Sequence, residues 1–401
     1  MHIALVSPFW PMHLHPNGIV TYLTSLREEL LRQGHRVSII AGETPHDLAD
    51  PGVHRITPSL SYRLRRRVER VLDPRSAEVF AYGQAIAEVI RKLHRQHPVD
   101  VIEMEESFGW FAEVQRLGVP LVVKLHGPAF LTLVEAEAAS PFGQAKIERE
   151  GAALRQARFI TSPSAAALDA TFARFGIARR LGRVVPNPIS VAGERALWNA
   201  AGCDPRTLLF VGRFDALKGG DVALLAFRRL LDHDPQLRLI FVGPDRGLSA
   251  ANGAEPIGFD AFCAAHFDAG QRGRVDFRGA QPPAAIVALR TEAAVTIVTS
   301  RWDNQPATVL EAMIQACPVV AVDSGGVKEL VQHGVTGWLA SAGDLEQLTR
   351  HVLDALADPR RAGEIGRQGR EFVLRRHALD KLGAETLSAY REAIALAAST
   401  R

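Results

Sequence analysis

Cysteine is scarce: Cys203, Cys263 and Cys317 are the only three in 401 residues, and they lie far apart. That spacing excludes a disulfide framework, a redox pair and a thiolate metal site, and it fits a reducing cytoplasm. No apolar run approaches the ~18 residues that a membrane span needs, so any membrane contact is expected to be peripheral. The first residues, MHIALVSPFW, have no basic leader and are expected to form a first strand, not a signal peptide. Neither charge sign dominates, at 47 Lys and Arg against 44 Asp and Glu. A net charge of +3 argues for no nucleic-acid partner, although local basic patches can still act. Low-complexity segments and short tandem repeats are missing as well.

What is present is globular: 47% of residues are hydrophobic and 23% charged. The length suits two domains. HIALVS, RVSII, DVIEM, PLVVKLH, RFITS and RVVP are strand candidates in the first half, and TLLFVG, LRLIFVG, VDFRG, AVTIVTS and PVVAVD in the second. Helical patterns alternate with them; in GIVTYLTSLREELLRQGH, Ile19, Leu23, Leu26 and Leu30 recur at helical spacing and Gly34 is a stop. The alternation predicts an α/β protein of βαβ units on mostly parallel sheets. Two prolines around Asn187 place a boundary near residues 187–205. The expected domains are 1–190, rejoined by a C-terminal helix over about 380–401, and 191–379. Ligand sites in such sheets lie at the carboxyl ends of the strands, so facing edges would form an interdomain cleft.

The residues after each strand carry the chemistry. PFWPMHLHPNGIVTYL has Gly18 but not the G-x-G-x-x-G of a dinucleotide fingerprint, which disfavours a nicotinamide dehydrogenase. A glycine at a helix N-terminus still lets backbone amides approach an anion. His13 and His15 have no carboxylate or cysteine at ligand spacing, so no metal is called for. His126 follows PLVVKL at a strand end, where it is either a substrate contact or a satisfied structural histidine. LLFVGRFDALKGGD is not a Walker loop, yet it brings Arg213, Lys218 and two glycines to one spot suited to a diphosphate.

SRWDNQPATVLEAM holds Asp303 in a loop and Glu311 on a helix that Pro306 starts. On one helix, eight residues would separate the acids by roughly 12 Å. Glycosidase carboxyls stand about 5–9.5 Å apart across one bond, so this spacing disfavours a hydrolytic pair. It suits two acids gripping different parts of an elongated polyhydroxylated ligand, with a phosphate near the helix N-terminus between them.

In this order the segments resemble glycosyltransferase family 4, retaining nucleotide-sugar-dependent transferases with the GT-B fold of two Rossmann-like domains facing a cleft. The resemblance runs over nearly the whole chain. It is strongest from LLFVGRFDALKGG to GGVKELVQHGVTGWL, and NGIVTYLTSLREELLRQGHRVSII, LVVKLHGP, VVPNPI and VDFRG also look like family segments. It implies that Arg213 and Lys218 neutralise the donor diphosphate, that Glu311 binds ribose hydroxyls and that Asp303 holds hydroxyls of the donor sugar. Asn304, Gln305, Ala307 and Thr308 would line the donor, with backbone amides of 305–308 meeting sugar and phosphate. Gly18 would admit the diphosphate to the first domain's loop, and His126 would contact the sugar near the reacting carbon. Gly325 and Gly326 receive only a backbone role.

Three departures stand out. Asp303 replaces the usual glutamate, Asn304, Gln305 and Pro306 replace a glycine–aromatic–glycine run, and Ser190 replaces the aspartate after NPI. Proline removes one amide donor. None of the three touches the cations or Glu311, so an active enzyme is expected.

The resemblance implies a hexosyltransferase that uses a UDP- or GDP-sugar as substrate and needs no cofactor or divalent metal. Front-face attack within one ion pair and closure of the two domains are the expected route. On the acceptor side, Glu103, Glu105 and Glu106 in EMEES are expected to face the cleft, one of them meeting or deprotonating an acceptor hydroxyl. Arg63, Arg65, Arg66, Arg67 and Arg70 share a segment with Leu64, Val68, Val71 and Leu72 on one helical face. That pattern fits a helix lying on anionic membrane at the cytoplasmic face, or a solvated helix on the first domain. A sugar, lipid-linked, phosphorylated or other small-molecule acceptor and a role in cell-surface polysaccharide, glycolipid or other glycoconjugate synthesis follow as expectations. A nucleotide-sugar 2-epimerase of the same fold and a silent nucleotide-sugar-binding module are the alternatives.

Overall fold

The computed structural model describes all residues except 13, 15, 16, 46, 47, 58, 60, 61, 63, 65, 66, 69, 70, 72–80, 190–195, 249–254, 400 and 401. The chain divides into two compact units, one of Met1–Ser190 with Leu379–Arg401 and the other of Val191–Ala378.

In the first unit, parallel strands β1 (His2–Phe9), β2 (Arg36–Glu43), β3 (Val53–Arg55), β4 (Val101–Glu105), β5 (Leu121–Lys124), β6 (Ile160–Ser162) and β7 (Gly182–Val184) run in the order 3-2-1-4-5-6-7. Strand β1 shows why the sheet is covered on both faces: Ala4 and Val6 enter one apolar cluster, Ile3 and Leu5 another. Helix α1 (Gly18–Arg32) buries Val20, Leu23, Leu26 and Leu30, and the Asn17 side chain caps it by accepting from the Val20 amide at 3.0 Å. Helix α2 (Pro141–Leu154) carries a buried Glu150.

In the second unit, parallel strands β8 (Asp204–Val211), β9 (Arg238–Val242), β10 (Val275–Phe277), β11 (Ala293–Val298), β12 (Val319–Val322) and β13 (Trp338–Ala340) run in the order 10-9-8-11-12-13. Helices α3 (Gly220–Leu231), α4 (Pro283–Glu292) and α5 (Ala307–Ile314) bear on the site of this unit. The last helix, α6 (Leu379–Ser399), belongs to the first unit.

Both sheets are the expected parallel α/β layers. Each has one point where strand order reverses, between β1 and β4 and between β8 and β11. The loops leaving neighbouring strands diverge there and open a crevice at the carboxyl ends.

Candidate functional site

The crevice of the second unit is built by the loops after β8 and β11. Gly212 to Gly219 form the first. Phe214 anchors it from beneath: its side chain is fully buried, with ring centroids 5.4 Å from Phe259, 5.7 Å from Phe262 and 6.2 Å from Phe241. Asp215 then organises the turn. Its carboxylate accepts from the Lys218 amide at 2.7 Å and from Arg213 Nε at 2.5 Å, and its carbonyl accepts from the Gly219 amide at 3.1 Å. Gly219 has φ +67, and a Cβ there would overlap the Thr299 carbonyl oxygen, so the position requires glycine. It also opens α3.

The second loop is tied to the first. Thr299 Oγ1 donates to the Gly219 carbonyl at 2.7 Å, and the Arg301 amide donates to Leu217 O at 2.9 Å. The Arg301 guanidinium grips both oxygens of Asp221 at 2.6 and 2.8 Å. On this frame Lys218 Nζ donates to Asp303 Oδ2 at 2.5 Å, with side chains 30% and 14% exposed. Two residues expected to meet separate parts of one ligand are therefore each other's partner. The amide of Gly326 donates to the Asp303 carbonyl at 2.9 Å. Gly325, at φ +56, lets the loop pass against that same carbonyl, where a Cβ would clash. The pair thus braces the backbone of Asp303.

Helix α5 follows. Pro306 sits at its N-cap with φ −66 and ψ 112, and its carbonyl accepts from the Val309 and Leu310 amides at 3.2 Å each. The Ala307 and Thr308 amides, one position further in, have no intrahelical acceptor by geometry and point positive charge along the axis. Asn304 is buried and Gln305 half-buried. Glu311, one turn on, accepts from Arg290 at 2.6 Å. Its side chain is 39% exposed and that of Arg290 is 1% exposed. Sequence reasoning missed Arg290. The available signal was a charged residue in VALRTEAAVTIV, where α4 runs directly into the fully buried β11.

The first unit holds the remaining candidates. Gly18 is exposed as the first residue of α1, with open space where a Cβ would stand. His126 follows β5, its ring edge-on to Tyr22 at 5.4 Å. Burial, with the Lys124 cation as a second cause, lowers its pKa to about 3, so the imidazole is neutral at physiological pH.

All three carboxyls of EMEES are buried and have internal hydrogen-bond partners, which bears against the expectation that they face a cleft with one of them open to an acceptor. Glu103 accepts from Tyr22 Oη at 2.8 Å and from Tyr390 Oη, on α6, at 3.0 Å. Lys124 lies 4.5 Å over the Tyr22 ring and donates to Val185 O at 2.9 Å. Glu106 accepts from the His126 and Gly127 amides at 2.8 and 2.7 Å and so shapes the His126 turn. Both are almost inaccessible, and buried carboxyls require such partners. Glu105 accepts from Ser107 Oγ at 3.0 Å, and burial together with the neighbouring Glu106 pushes its pKa up to about 7.

His13, His15, Ser190, Arg63, Arg65, Arg66, Arg70 and Leu72 lie outside the described residues. Arg67 is exposed, as are Leu64, Val68 and Val71. Among the described residues no helix is long and apolar enough to cross a membrane, and no group of three or more His, Cys, Asp or Glu is placed to hold a metal.

Comparison with known proteins agrees with this geometry. Residues 16–192 match the family model "Glycosyltransferase Family 4" and residues 199–372 match "Glycosyl transferases group 1". The D-inositol 3-phosphate glycosyltransferase of Acidothermus cellulolyticus is 28% identical over 94% of this chain and 86% of its own. Among solved structures, sucrose-phosphate synthase from Thermosynechococcus elongatus superposes with a TM-score of 0.76 at 19% identity, covering 98% of this chain and 99% of that one. Anabaena HepE in complex with UDP-glucose superposes with a TM-score of 0.69 at 20% identity, covering 97% and 100%. The two family models together span most of the sequence, and the chain belongs to the family 4 glycosyltransferases, enzymes of the GT-B fold.

Proposed function

We propose that the protein moves a hexosyl group from a nucleotide diphosphate sugar to an acceptor hydroxyl with retention of anomeric configuration. One observation carries the reading. Two cations, a helix N-terminus and two acids converge at a single strand-order reversal, on loops locked by Gly219, Thr299 and Arg301. The UDP-glucose bound by the HepE neighbour supports a donor of this class.

The mechanism follows from charge. Cleaving the anomeric bond leaves negative charge on the diphosphate and positive charge on the sugar. Arg213, Lys218 and the Ala307 and Thr308 amides are fixed before the reaction, so little reorganisation is needed to stabilise the leaving group. Asp303 is tied to Lys218 at 2.5 Å, and donor binding exchanges that contact for phosphate on the lysine and sugar hydroxyls on the acid. Glu311 takes the ribose, Gly18 admits the diphosphate, and neutral His126 offers a hydrogen bond near the reacting carbon. The acceptor hydroxyl attacks from the face the diphosphate leaves and gives its proton to the departing diphosphate oxygen.

The acceptor is a phosphorylated, lipid-linked or sugar hydroxyl compound. D-inositol 3-phosphate, named for the Acidothermus relative, belongs in the first acceptor panel. Exposed Arg67, Leu64, Val68 and Val71 support peripheral contact with anionic membrane.

The test is a thermal-shift screen of UDP- and GDP-sugars followed by product analysis of the stabilising donor. A glycoside with the donor's anomeric configuration supports the proposal. Release of an epimerised free sugar, or stabilisation without turnover on any acceptor, refutes it in favour of an epimerase or a silent binding module.

A further inference from the structure

Among the described residues Arg290 is one of the largest fully buried side chains, and its guanidinium meets the site at one point. Its Nη2 donates to Glu311 Oε2 at 2.6 Å, and its Nε has no hydrogen-bond partner among the described residues. The exposures run in opposite directions, 1% for Arg290 and 39% for Glu311. A guanidinium placed out of water at the end of α4 requires a counter-charge, and Glu311 from the second turn of α5 supplies it. The carboxylate is thereby held from behind through one oxygen. Arg290 does not engage the carboxylate's other oxygen, and the Glu311 side chain keeps 39% of its surface exposed.

That arrangement differs from an ordinary surface glutamate, whose rotamers would be free. A carboxylate with one rear oxygen fixed by a rigid, buried fork presents its acceptors in a set direction. Two hydroxyls on adjacent carbons are the donor pattern that such a face can accept together. We propose that Arg290 is a positioning residue that aims Glu311 at the vicinal diol of the donor's ribose, and so sets the enzyme's preference for ribonucleotide over deoxyribonucleotide donors. This rests on the nucleotide-sugar reading above and adds to it a residue that does not itself touch the ligand.

The experiment compares kcat/KM for the nucleotide sugar selected by the thermal screen with its 2′-deoxyribose and 3′-deoxyribose counterparts. Wild-type enzyme should favour the ribose donor by ~10- to 100-fold, the worth of hydrogen bonds to a charged acceptor. Arg290→Met, close in volume and neutral, should collapse that ratio to less than about threefold, the remainder being the pairing of a disordered carboxylate. Arg290→Lys keeps the charge without the fork and should restore part of the preference. Glu311→Gln should collapse the ratio by itself, and adding Arg290→Met to it should change the ratio no further.

A merely structural arginine would behave otherwise: its loss would lower melting temperature and slow all three donors alike, leaving the ratio intact, and that result overturns the inference. If Arg290→Met does not fold, Arg290→Lys decides, because an unchanged ratio in that folded variant is equally fatal. A wild-type enzyme that transfers from the ribose donor without discriminating against either deoxy donor overturns this inference alone. A wild-type enzyme that uses no nucleotide sugar overturns it together with the functional reading.

Discussion

Replacing Lys218 by alanine should remove transfer while leaving the fold nearly untouched, and the structure gives both magnitudes. On the stability side, the lysine's side-chain partner is Asp303, in a pair 30% and 14% exposed. Partly hydrated pairs of this kind are worth about 0–1 kcal/mol. The loop itself is held by bonds the side chain does not make: the Lys218 amide to Asp215, Thr299 to Gly219, and Arg301 to Leu217 and Asp221. For a unit of this size, 1 kcal/mol moves the melting temperature by about 2–4 °C, so the expected change lies within that span. On the catalytic side, loss of one fixed donor aimed at developing charge costs ~100- to 1,000-fold in kcat. The assay is nucleoside diphosphate release under saturating donor, alongside a melting curve of the same preparation. A folded Lys218→Ala protein working within about threefold of wild type would refute the leaving-group role, since so small a loss lies far below the cost of removing such a donor.

Further predictions concern its neighbours. Asp303→Asn takes away the carboxylate that competes for Lys218; calorimetry should show the free nucleoside diphosphate binding roughly 2- to 5-fold tighter while transfer slows by at least about tenfold. Unchanged or weaker diphosphate binding would mean that the Lys218–Asp303 contact is not in competition with the ligand. Gly219→Ala meets both a left-handed backbone and the Thr299 carbonyl, so denaturant titration should record a loss of about 2–4 kcal/mol. Gly18→Ala meets open space, so stability should hold while donor affinity falls; equal affinity would remove Gly18 from the site. Glu105 is raised from 4.5 to about 7, so the stability associated with its protonated form is present at low pH and lost as pH rises through 7. Glu105→Gln has no proton to lose and should therefore outlast wild type at pH 8, by up to about 3 kcal/mol, with the gap closing toward pH 5. A gap that does not vary with pH would contradict that assignment.

The fold was legible where strands are long apolar runs. A strand buried on both faces is mostly apolar, as β1 and β11 are apart from His2, Ser7 and Thr296. The three-residue strands β6, β7 and β10 showed as RFITS, RVVP and VDFRG, whereas the equally short β3 and β13 lie in PGVHRITP and GWLASAG, where polar residues and glycine interrupt any run. The site divides along a similar line. Arg213, Lys218, Asp303 and Glu311 could be named because each sits at a fixed offset from a strand end. Gly325 and Gly326 could be named but not explained, since their task is to let one backbone pass another.

What sequence order hides is pairing across distance. Lys218 and Asp303 lie 85 residues apart and Glu103 and Tyr390 lie 287 apart, and in each case the partner decides what the charged group is free to do. Read alone, Glu103 looks like a candidate for the acceptor, whereas two tyrosine hydroxyls claim both its oxygens. Arg290 inverts the error, since an arginine near a helix end reads as a solvated charge until its burial is known. The same physics explains both cases. A charge excluded from water must be answered by another group, and the fold brings that group from wherever the chain happens to pass. The residues free to meet a ligand are therefore those whose partners leave part of them exposed. By that measure the second unit offers Arg213, Lys218 and Glu311, each held by a partner on one side and part-exposed on the other.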